Sequence, residues 1–244
     1  MIRPLSILYE DPFCLAVIKP AGQFTQGTWA PPGEETLEQG VRRHLNPDNP
    51  AEAYVGIVHR LDRPVSGLLL WAKTQKAARR LSKQFENRQV RKTYWAIVER
   101  TSPKSPSQAE CWEDWLTAAG PDGKVRVMPA NTPNARRART DVRLLSSDRL
   151  PESNLGWLEM RPETGRTHQL RVQAAIRGMP ILGDTIYGST RPWPFPQGIA
   201  LHARELQIRH PADQSSLVLK APLPETWREF GFVEIERDDT LRAD

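Results

Sequence analysis

Short apolar runs separated by proline and glycine constrain this chain more than any other feature of its sequence. No apolar stretch exceeds about eight residues, and the clearest one lies around residues 68–72. A bilayer span needs about 20 apolar residues, so the pattern excludes an ordinary transmembrane helix. Runs of this size suit short strands and amphipathic helices that share one core. We therefore expect a globular protein of the cytoplasm, with no membrane partner.

Several segments have the β-branched and apolar composition of strands. Two pairs flank proline-containing turns and predict hairpins, residues 6–10 with 13–18 and residues 206–209 with 216–219. Single strands are predicted at residues 67–71, 93–98, 141–145 and 157–160. Repeated prolines and glycine in residues 101–138 predict irregular connections there.

Three segments have the apolar period of a helix. The first follows the N-cap candidate Thr36, and the second follows Thr74 and covers residues 75–87. The third covers residues 167–177, with Val172, Ala175 and Ile176 on one face and Gly178 as its stop. Strands outnumber helices and turns join neighbouring strands. The predicted fold class is therefore α+β, a mixed and mainly antiparallel sheet with flanking helices and a central active-site cleft.

Charge is distributed unevenly along the chain. Residues 71–100 hold nine basic and two acidic side chains, whereas residues 225–244 hold seven acidic and three basic ones. The formal net charge of +5 is thus the balance of a basic body and an acidic carboxyl-terminal tail. Arg136, Arg137 and Arg139 add a second basic cluster, which we place in a loop. Such clusters bind phosphates, although an ordinary solvated helix face has the same composition.

Asp62 lies between Arg60 and Arg63 in a segment that precedes the apolar strand. Flanking cations would keep its carboxylate ionised, which suits nucleophilic attack better than proton donation. The alternative is a turn aspartate held in a salt bridge.

A second polar segment, residues 164–171, begins at a glycine turn and enters the third predicted helix. Helix-start amides with Arg166 and Arg171 favour anion or phosphate binding, and His168 or Gln169 could donate to a base or sugar. The alternative is helix capping with exposed arginines.

No cofactor or metal is predicted. Cys14 and Cys111 are far apart, without neighbouring ligands at metal-binding spacing, and His168 has no second ligand nearby in the sequence. Glycine patterns of phosphate loops and dinucleotide-binding folds are absent from the sequence.

Six segments occur in an order that resembles the RluA-type family of RNA pseudouridine synthases, from about residue 8 to residue 224. They are residues 19–22 (Lys-Pro-Ala-Gly), 59–67 (with His-Arg-Leu-Asp and Ser-Gly), 91–94 (Arg-Lys-Thr-Tyr), 164–171, 183–188 and 201–203. The second and fourth segments are the most specific. The resemblance implies one catalytic domain over residues 1–244, without the separate amino-terminal RNA-binding domain of many relatives, and with residues 225–244 as its tail.

The resemblance implies roles for individual residues. Asp62 would be the nucleophile, Tyr94 the aromatic residue that stacks on the uracil and takes a proton, and Arg171 the partner of the aspartate. Arg60 would help to open the RNA at the flipped uridine. The further substrate or RNA contacts are Lys19, Arg166, His168 and Gln169 from these segments, and Arg79, Arg80 and Lys83 from the basic helix.

Some positions depart from the family pattern. Val65 stands where threonine is usual, Ile18 where a polar residue is common, and Gln26 near where histidine is often seen. These departures concern substrate contacts more than chemistry.

The implied reaction breaks the bond from ribose to uracil N1, turns the base and rejoins it through C5. It is redox-neutral and needs no cofactor. The sequence leaves open whether Asp62 adds to the uracil ring or acts at the ribose, and whether a glycal forms.

The implied partner is RNA, either transfer RNA or large-subunit ribosomal RNA, and the short architecture favours transfer RNA. No protein partner is implied, and we expect a monomer. Two alternatives remain at this point. A nucleosidase or glycosidase would need a second carboxyl group, and a non-catalytic RNA-binding module would not need Asp62.

Overall fold

The computed structural model describes residues 4–27, 30–101, 109–146, 154–194 and 197–229. The strands are β1 (Ser6–Glu10), β2 (Cys14–Lys19), β3 (Gly56–Ile57), β4 (Ser66–Ala72), β5 (Arg91–Glu99), β6 (Ala109–Leu116), β7 (Val127–Met128), β8 (Arg136–Ser146), β9 (Leu155–Pro162), β10 (Leu201–Arg209) and β11 (Ser216–Lys220). The helices are α1 (Leu37–Leu45), α2 (Gln75–Glu86), α3 (Gln169–Ala175) and α4 (Glu225–Glu229).

All of these strands belong to one sheet, in the order β1-β2-β4-β10-β5-β9-β8-β6-β7. β3 pairs with β4, and β11 pairs with β10. Among the described strands every pairing is antiparallel except that of β4 with β10. The predicted fold class, a mixed and mainly antiparallel sheet with helices, is confirmed.

The parallel contact between β4 and β10 depends on Gly67. Its φ of +116° lies in a region that other residues rarely adopt, and a Cβ placed there would lie 2.4 Å from the Ala203 carbonyl oxygen. Glycine at this position, the second residue of β4, therefore lets the two backbones approach directly after the loop that carries Asp62.

Local sequence signals predicted most of the elements in the first hundred residues. Thr36 forms a capping box with Gln39 at the start of α1, and the Thr74 side chain accepts the Ala77 N–H at the start of α2. Both predicted hairpins are present, as β1–β2 and β10–β11.

The prediction of irregular structure over residues 101–138 is wrong in part, because this range contains β6, β7 and the start of β8. Arg136, Arg137 and Arg139 are therefore strand residues and not loop residues. Arg137 forms an ion pair with Glu113 on β6 at 2.7 Å, and Arg139 lies 3.6 Å from Glu163. Cross-strand charge pairing explains why such a basic segment is compatible with a strand.

The third helix, α3, is shorter than predicted, and its buried face differs. Its N-cap is His168, and Ile176 after its last turn is 50% exposed. Its buried side chains include Leu170, Val172 and Ala174, and also the polar residues Gln169, Arg171 and Gln173. The predicted stop at Gly178 agrees with its φ of +70°.

The helices pack on different sides of the sheet. Alternate residues of β2 and β4, such as Val17 and Leu69, belong to the main core, which also contains residues of α1 and α3. Their neighbours Ala16 and Leu68 belong to a second core under α2. Since strand side chains alternate between faces, α2 covers the side of β2 and β4 that is opposite to α1.

Two predictions about the whole chain stay predictions. The first is the single domain over residues 1–244. The second is the acidic tail over residues 225–244, of which α4 covers 225–229, while residues 230–244 lie outside the described residues. Within the described ranges, no helix has the length and apolar character needed to cross a membrane.

Candidate active site

Asp62 lies in the loop between β3 and β4, and hydrogen bonds with buried residues fix the backbone of this loop. The Asp62 carbonyl accepts the N–H of the buried residue Val65 at 3.1 Å. Thr25 donates to the Leu61 carbonyl at 2.8 Å. The carboxylate itself stays 30% exposed. The loop is therefore fixed through its backbone while the acid group faces outward.

Lys19 fixes the same loop, which corrects its expected contact with RNA. The side chain is fully buried, and Nζ donates to the carbonyls of Pro20, Gln23 and Arg63 at 2.8–3.0 Å. An ammonium group enclosed by carbonyls cannot reach a phosphate. Lys19 therefore supports the Asp62 loop and does not contact the substrate.

The two arginines beside Asp62 in the sequence do not pair with it. Arg63 donates to the Gly22 carbonyl at 3.0 Å and stacks over the Phe24 ring. Arg60 is exposed. The cation that contacts Asp62 is Arg171, which is 109 positions away in the sequence.

Arg171 is a buried arginine shared by two carboxylates. Its Nη1 lies 3.3 Å from Asp62 Oδ2, while Nε and Nη2 bind the two oxygens of Asp184 at 2.7 and 2.9 Å. Burial lowers the pKa of Arg171, but the hydrogen bonds and charge of Asp184 and the charge of Asp62 together raise it above its ordinary value. The guanidinium is therefore a permanent cation at the base of the site.

Tyr94 lies on β5 opposite Ala203 of β10 and Met160 of β9. Burial, and after it the negative charge of Asp62, raises the pKa of the Tyr94 phenol. Tyr94 is thus a protonated phenol close enough to Asp62 to experience its charge. Asp62 thus contacts Arg171 and acts electrostatically on Tyr94, and the catalytic roles of the three residues stay predictions.

His168 joins the same group from the start of α3. Its Nε2 lies 3.8 Å from Asp62 Oδ2, and its Nδ1 lies 2.9 Å from the Tyr187 hydroxyl. Burial lowers the pKa of His168 more than the neighbouring Asp62 raises it. The imidazole is therefore neutral at neutral pH.

The other two candidates in this segment differ from one another. Gln169 is buried, and its side chain bonds Thr164 at 2.7 Å and Thr140 at 2.9 Å. The Gln169 amide forms its hydrogen bonds within the protein, so the expected contact of Gln169 with substrate is wrong. Arg166 is exposed and donates through Nε to the Arg137 carbonyl at 3.2 Å.

The three candidates on α2 are not part of the Asp62 group. Arg79 and Lys83 are exposed and line a surface groove of about 630 Å³ beside Tyr54. Arg80 instead donates to the carbonyls of Pro211 and Ala212 and so ties α2 to the β10–β11 turn. Only Arg79 and Lys83 of this set present unbonded cations in the described part of the chain.

Asp184 and Tyr187 border the site without a predicted role, and Lys92 lies beside Thr164 of the second polar segment. The first two lie in residues 183–188, a segment recognised without a functional reading. Lys92 donates to the Thr164 carbonyl at 3.3 Å, and burial lowers its pKa to about 8. An acid and a tyrosine within a recognised segment were the signal that could have identified the first two.

One set of ligand-type side chains in the described ranges lies close enough together for a metal, namely Asp11, Cys14 and His210. It does not fit one well. Asp11 already accepts hydrogen bonds from Tyr9, His210 and two backbone N–H groups. Burial raises the pKa of the Cys14 thiol to about 12. These groups join the β1–β2 turn to the β10–β11 turn.

A mechanism with two carboxylates is disfavoured by the state of Asp184. This second acid is 1% exposed and binds Arg171 through both oxygens. It is not available as a general acid or base, which a glycosidase would require.

Comparisons with known proteins agree with this arrangement. Residues 14–175 match the family described as RNA pseudouridylate synthase. The chain is 33% identical over 232 residues to tRNA pseudouridine synthase C of Salmonella typhimurium, covering 91% of this chain and 87% of that protein. It is 32% identical over 247 residues to the protein of that name from Vibrio cholerae, covering 94% and 97%.

Two solved structures have the same fold. Human RNA Pseudouridylate Synthase Domain Containing 4 superposes with a TM-score of 0.70 at 25% identity and covers 92% of each chain. Human RNA Pseudouridylate Synthase Domain Containing 1 superposes with a TM-score of 0.73 at 22% identity, covering 99% of this chain and 94% of that one.

Proposed function

Since the chain belongs to the RNA pseudouridylate synthase family, we propose that this isomerase modifies a uridine of transfer RNA with Asp62 as its nucleophile. The observation that carries the proposal is the contact between Asp62 and the buried Arg171. In this contact a partly exposed carboxylate lies beside a fixed cation, in a family whose reaction needs a nucleophile.

Asp62 and Arg171 would divide the work as follows. Arg171 holds one carboxylate oxygen, and no donor among the described residues reaches the other oxygen, Oδ1. Oδ1 would form the bond to the uridine, at the ribose or at the uracil ring. Asp184 keeps Arg171 in place, so the carboxylate keeps its orientation while the base turns.

Tyr94 and Arg60 would act on the flipped uridine. Tyr94 supplies an aromatic face for the uracil, and its phenol is protonated when the substrate arrives. Arg60 is exposed on the same loop as Asp62 and would occupy the place that the uridine leaves in the RNA stack. Unstacking a base costs a few kcal/mol, part of which such side chains return.

Transfer RNA is supported by relatives and not by a contact in this structure. Proteins named tRNA pseudouridine synthase C match almost the whole chain, which includes the strands and loops around Asp62. The exposed cations Arg79, Lys83 and Arg166 would bind the phosphates of the folded RNA. Recognition would rest on the shape of the RNA around the target.

The target is tested by mapping pseudouridines across total RNA from cells with and without this protein. The expected result is the loss of a pseudouridine from one or a few transfer RNAs. The loss of a site in ribosomal RNA alone would contradict the proposed substrate, without affecting the assignment to the family.

The nucleophile is tested with D62N, which preserves size and removes the charge. Pseudouridine formation in a transcript of the identified RNA should be abolished while RNA binding persists. A D62N protein with unchanged activity would overturn the role of Asp62.

A further inference from the structure

We propose that His168 is a positioning residue which, held by Tyr187, faces the same oxygen of Asp62 as Arg171 and so leaves Oδ1 for the uridine. The inference rests on the proposed role of Asp62. Arg171 Nη1 and His168 Nε2 lie 3.3 and 3.8 Å from Oδ2. The two side chains come from the same short helix segment and meet the carboxylate at one atom.

The backbone at His168 is arranged for this placement. His168 has φ +52° and ψ +18°, a left-handed conformation that residues other than glycine adopt uncommonly. The residue makes no side-chain cap to α3. Helix capping therefore does not explain this conformation. The contacts of the ring explain it, because one ring nitrogen faces Asp62 and the other faces Tyr187.

Tyr187 sets the proton position on the imidazole. Its hydroxyl oxygen accepts the Val125 N–H at 2.9 Å and lies 2.9 Å from His168 Nδ1. The hydroxyl is the donor to Nδ1, because the opposite tautomer would turn the lone pair of an unprotonated Nε2 toward the Asp62 carboxylate at 3.8 Å. The remaining imidazole proton then lies on Nε2, which faces the carboxylate.

The charge of the site favours a neutral histidine. The charged and titratable groups that face His168 are Asp62, Arg171, Asp184 and Tyr187. Because Asp184 already balances Arg171, a neutral imidazole leaves the negative charge of Asp62 intact. An imidazolium at the same distance would cancel it. His168 thus orients the nucleophile by an N–H dipole without neutralising it.

The test compares the steady-state kcat and KM of Y187F, H168G and the double variant on a transcript of the target RNA. Y187F keeps the ring on which the Arg171 guanidinium lies, at 5.2 Å, and removes only the hydroxyl. We expect each variant to lower kcat about ten- to a hundredfold with KM within about twofold, because a misoriented nucleophile loses rate and not binding. The double variant should lose no more than H168G.

Two controls separate a positioning role from a general loss of stability. Y9F removes a hydroxyl that bonds Asp11 at 3.0 Å, outside the site, and should keep full activity. H168G suits the left-handed backbone, so its melting temperature should not fall. If H168G does not fold, Y187F decides alone.

The outcomes are distinguishable. An active D62N would overturn the proposed nucleophile and this inference together. An inactive D62N with wild-type kcat in Y187F would overturn the inference alone, as would additive losses in the double variant. A loss in KM instead of kcat would assign His168 to RNA binding and would also overturn it.

Discussion

Arg171 offers Asp62 a single guanidinium nitrogen because Asp184 binds the other two that point into the site. The Asp184 oxygens take Nε and Nη2 at 2.7 and 2.9 Å, and both residues are almost fully buried. A lone buried arginine would be strongly unfavourable, so Asp184 is what makes the cation under Asp62 possible. The partly exposed carboxylate of Asp62 therefore depends on a pair of charges that the solvent does not reach.

D184N should therefore weaken both the fold and the reaction. Removing one charge from a buried ion pair costs about 3–5 kcal/mol of unfolding free energy, and the freed guanidinium would turn toward Asp62 and quench it. Urea unfolding measures the loss of stability, and the steady-state kcat measures the effect on the reaction.

E159Q is the matched control for D184N. Glu159 is also nearly buried and pairs with Arg161 at 3.0 Å on β9. It should lose stability and keep kcat. Equal losses of kcat in both variants would show that instability alone explains the effect.

Local patterns predicted the elements whose side chains follow the simple apolar rule. The β1–β2 hairpin, the Thr36 and Thr74 caps and the apolar strand at residues 67–71 were all readable because each signal lies within a few residues. β6 was not, since one of its inward positions is Asp114, which is buried through contacts with Gln173 and Arg177 of the α3 region.

The site shows the same limit. The roles of Asp62, Tyr94 and Arg171 were predicted through resemblance and stay predictions. Lys19 and Gln169 were assigned to RNA, although their polar groups bond the protein interior. A lysine or glutamine in a motif looks alike whether it faces solvent or buried carbonyls. Tyr187 escaped notice because its partners Val125 and His168 are 62 and 19 positions away.

G67A should disrupt the contact between β4 and β10. The added Cβ would lie within 2.5 Å of both the Ala203 carbonyl oxygen and its nitrogen, at a φ that alanine rarely adopts. We expect a loss of at least about 3 kcal/mol in unfolding free energy. G27A is the control, because its Cβ would meet no atom within 4 Å. Similar unfolding curves for both variants would contradict the close approach at Gly67.

Acid should destabilise the fold through two histidines that are neutral in the folded state. Burial lowers the pKa of His59 to about 3, and its Nε2 accepts the Leu70 N–H at 2.9 Å, which requires an unprotonated nitrogen. Burial likewise lowers the pKa of His202 to about 3. Because only the unfolded chain takes these protons below about pH 6.5, each histidine removes about 1.4 kcal/mol of stability per pH unit until its folded-state pKa is reached.

H59Q isolates one of these protons. Glutamine can accept the Leu70 N–H without titrating, so the fall in unfolding free energy between about pH 7 and about pH 5.5 should be smaller in H59Q by about 1 kcal/mol. Urea denaturation at both values measures it. An identical pH dependence in the two proteins would mean that His59 is protonated in the folded state.

Charge reversal on α2 tests whether its exposed face meets the RNA. Arg79 and Lys83 border the groove beside Tyr54, whereas Arg80 is engaged by the β10–β11 turn and is left unchanged. If both cations contact phosphates, R79E with K83E should weaken RNA binding. The slope of log affinity against log salt should also become less steep, by the amount that about two lost phosphate contacts predict. K124E with K220E changes the net charge equally at two exposed lysines outside α2 and should leave the slope nearly unchanged. Equal slopes in the two double variants would instead show that α2 is an ordinary solvated helix on the side of β2 and β4 opposite to α1, and that RNA affinity comes from Arg60, Arg166 and their surroundings.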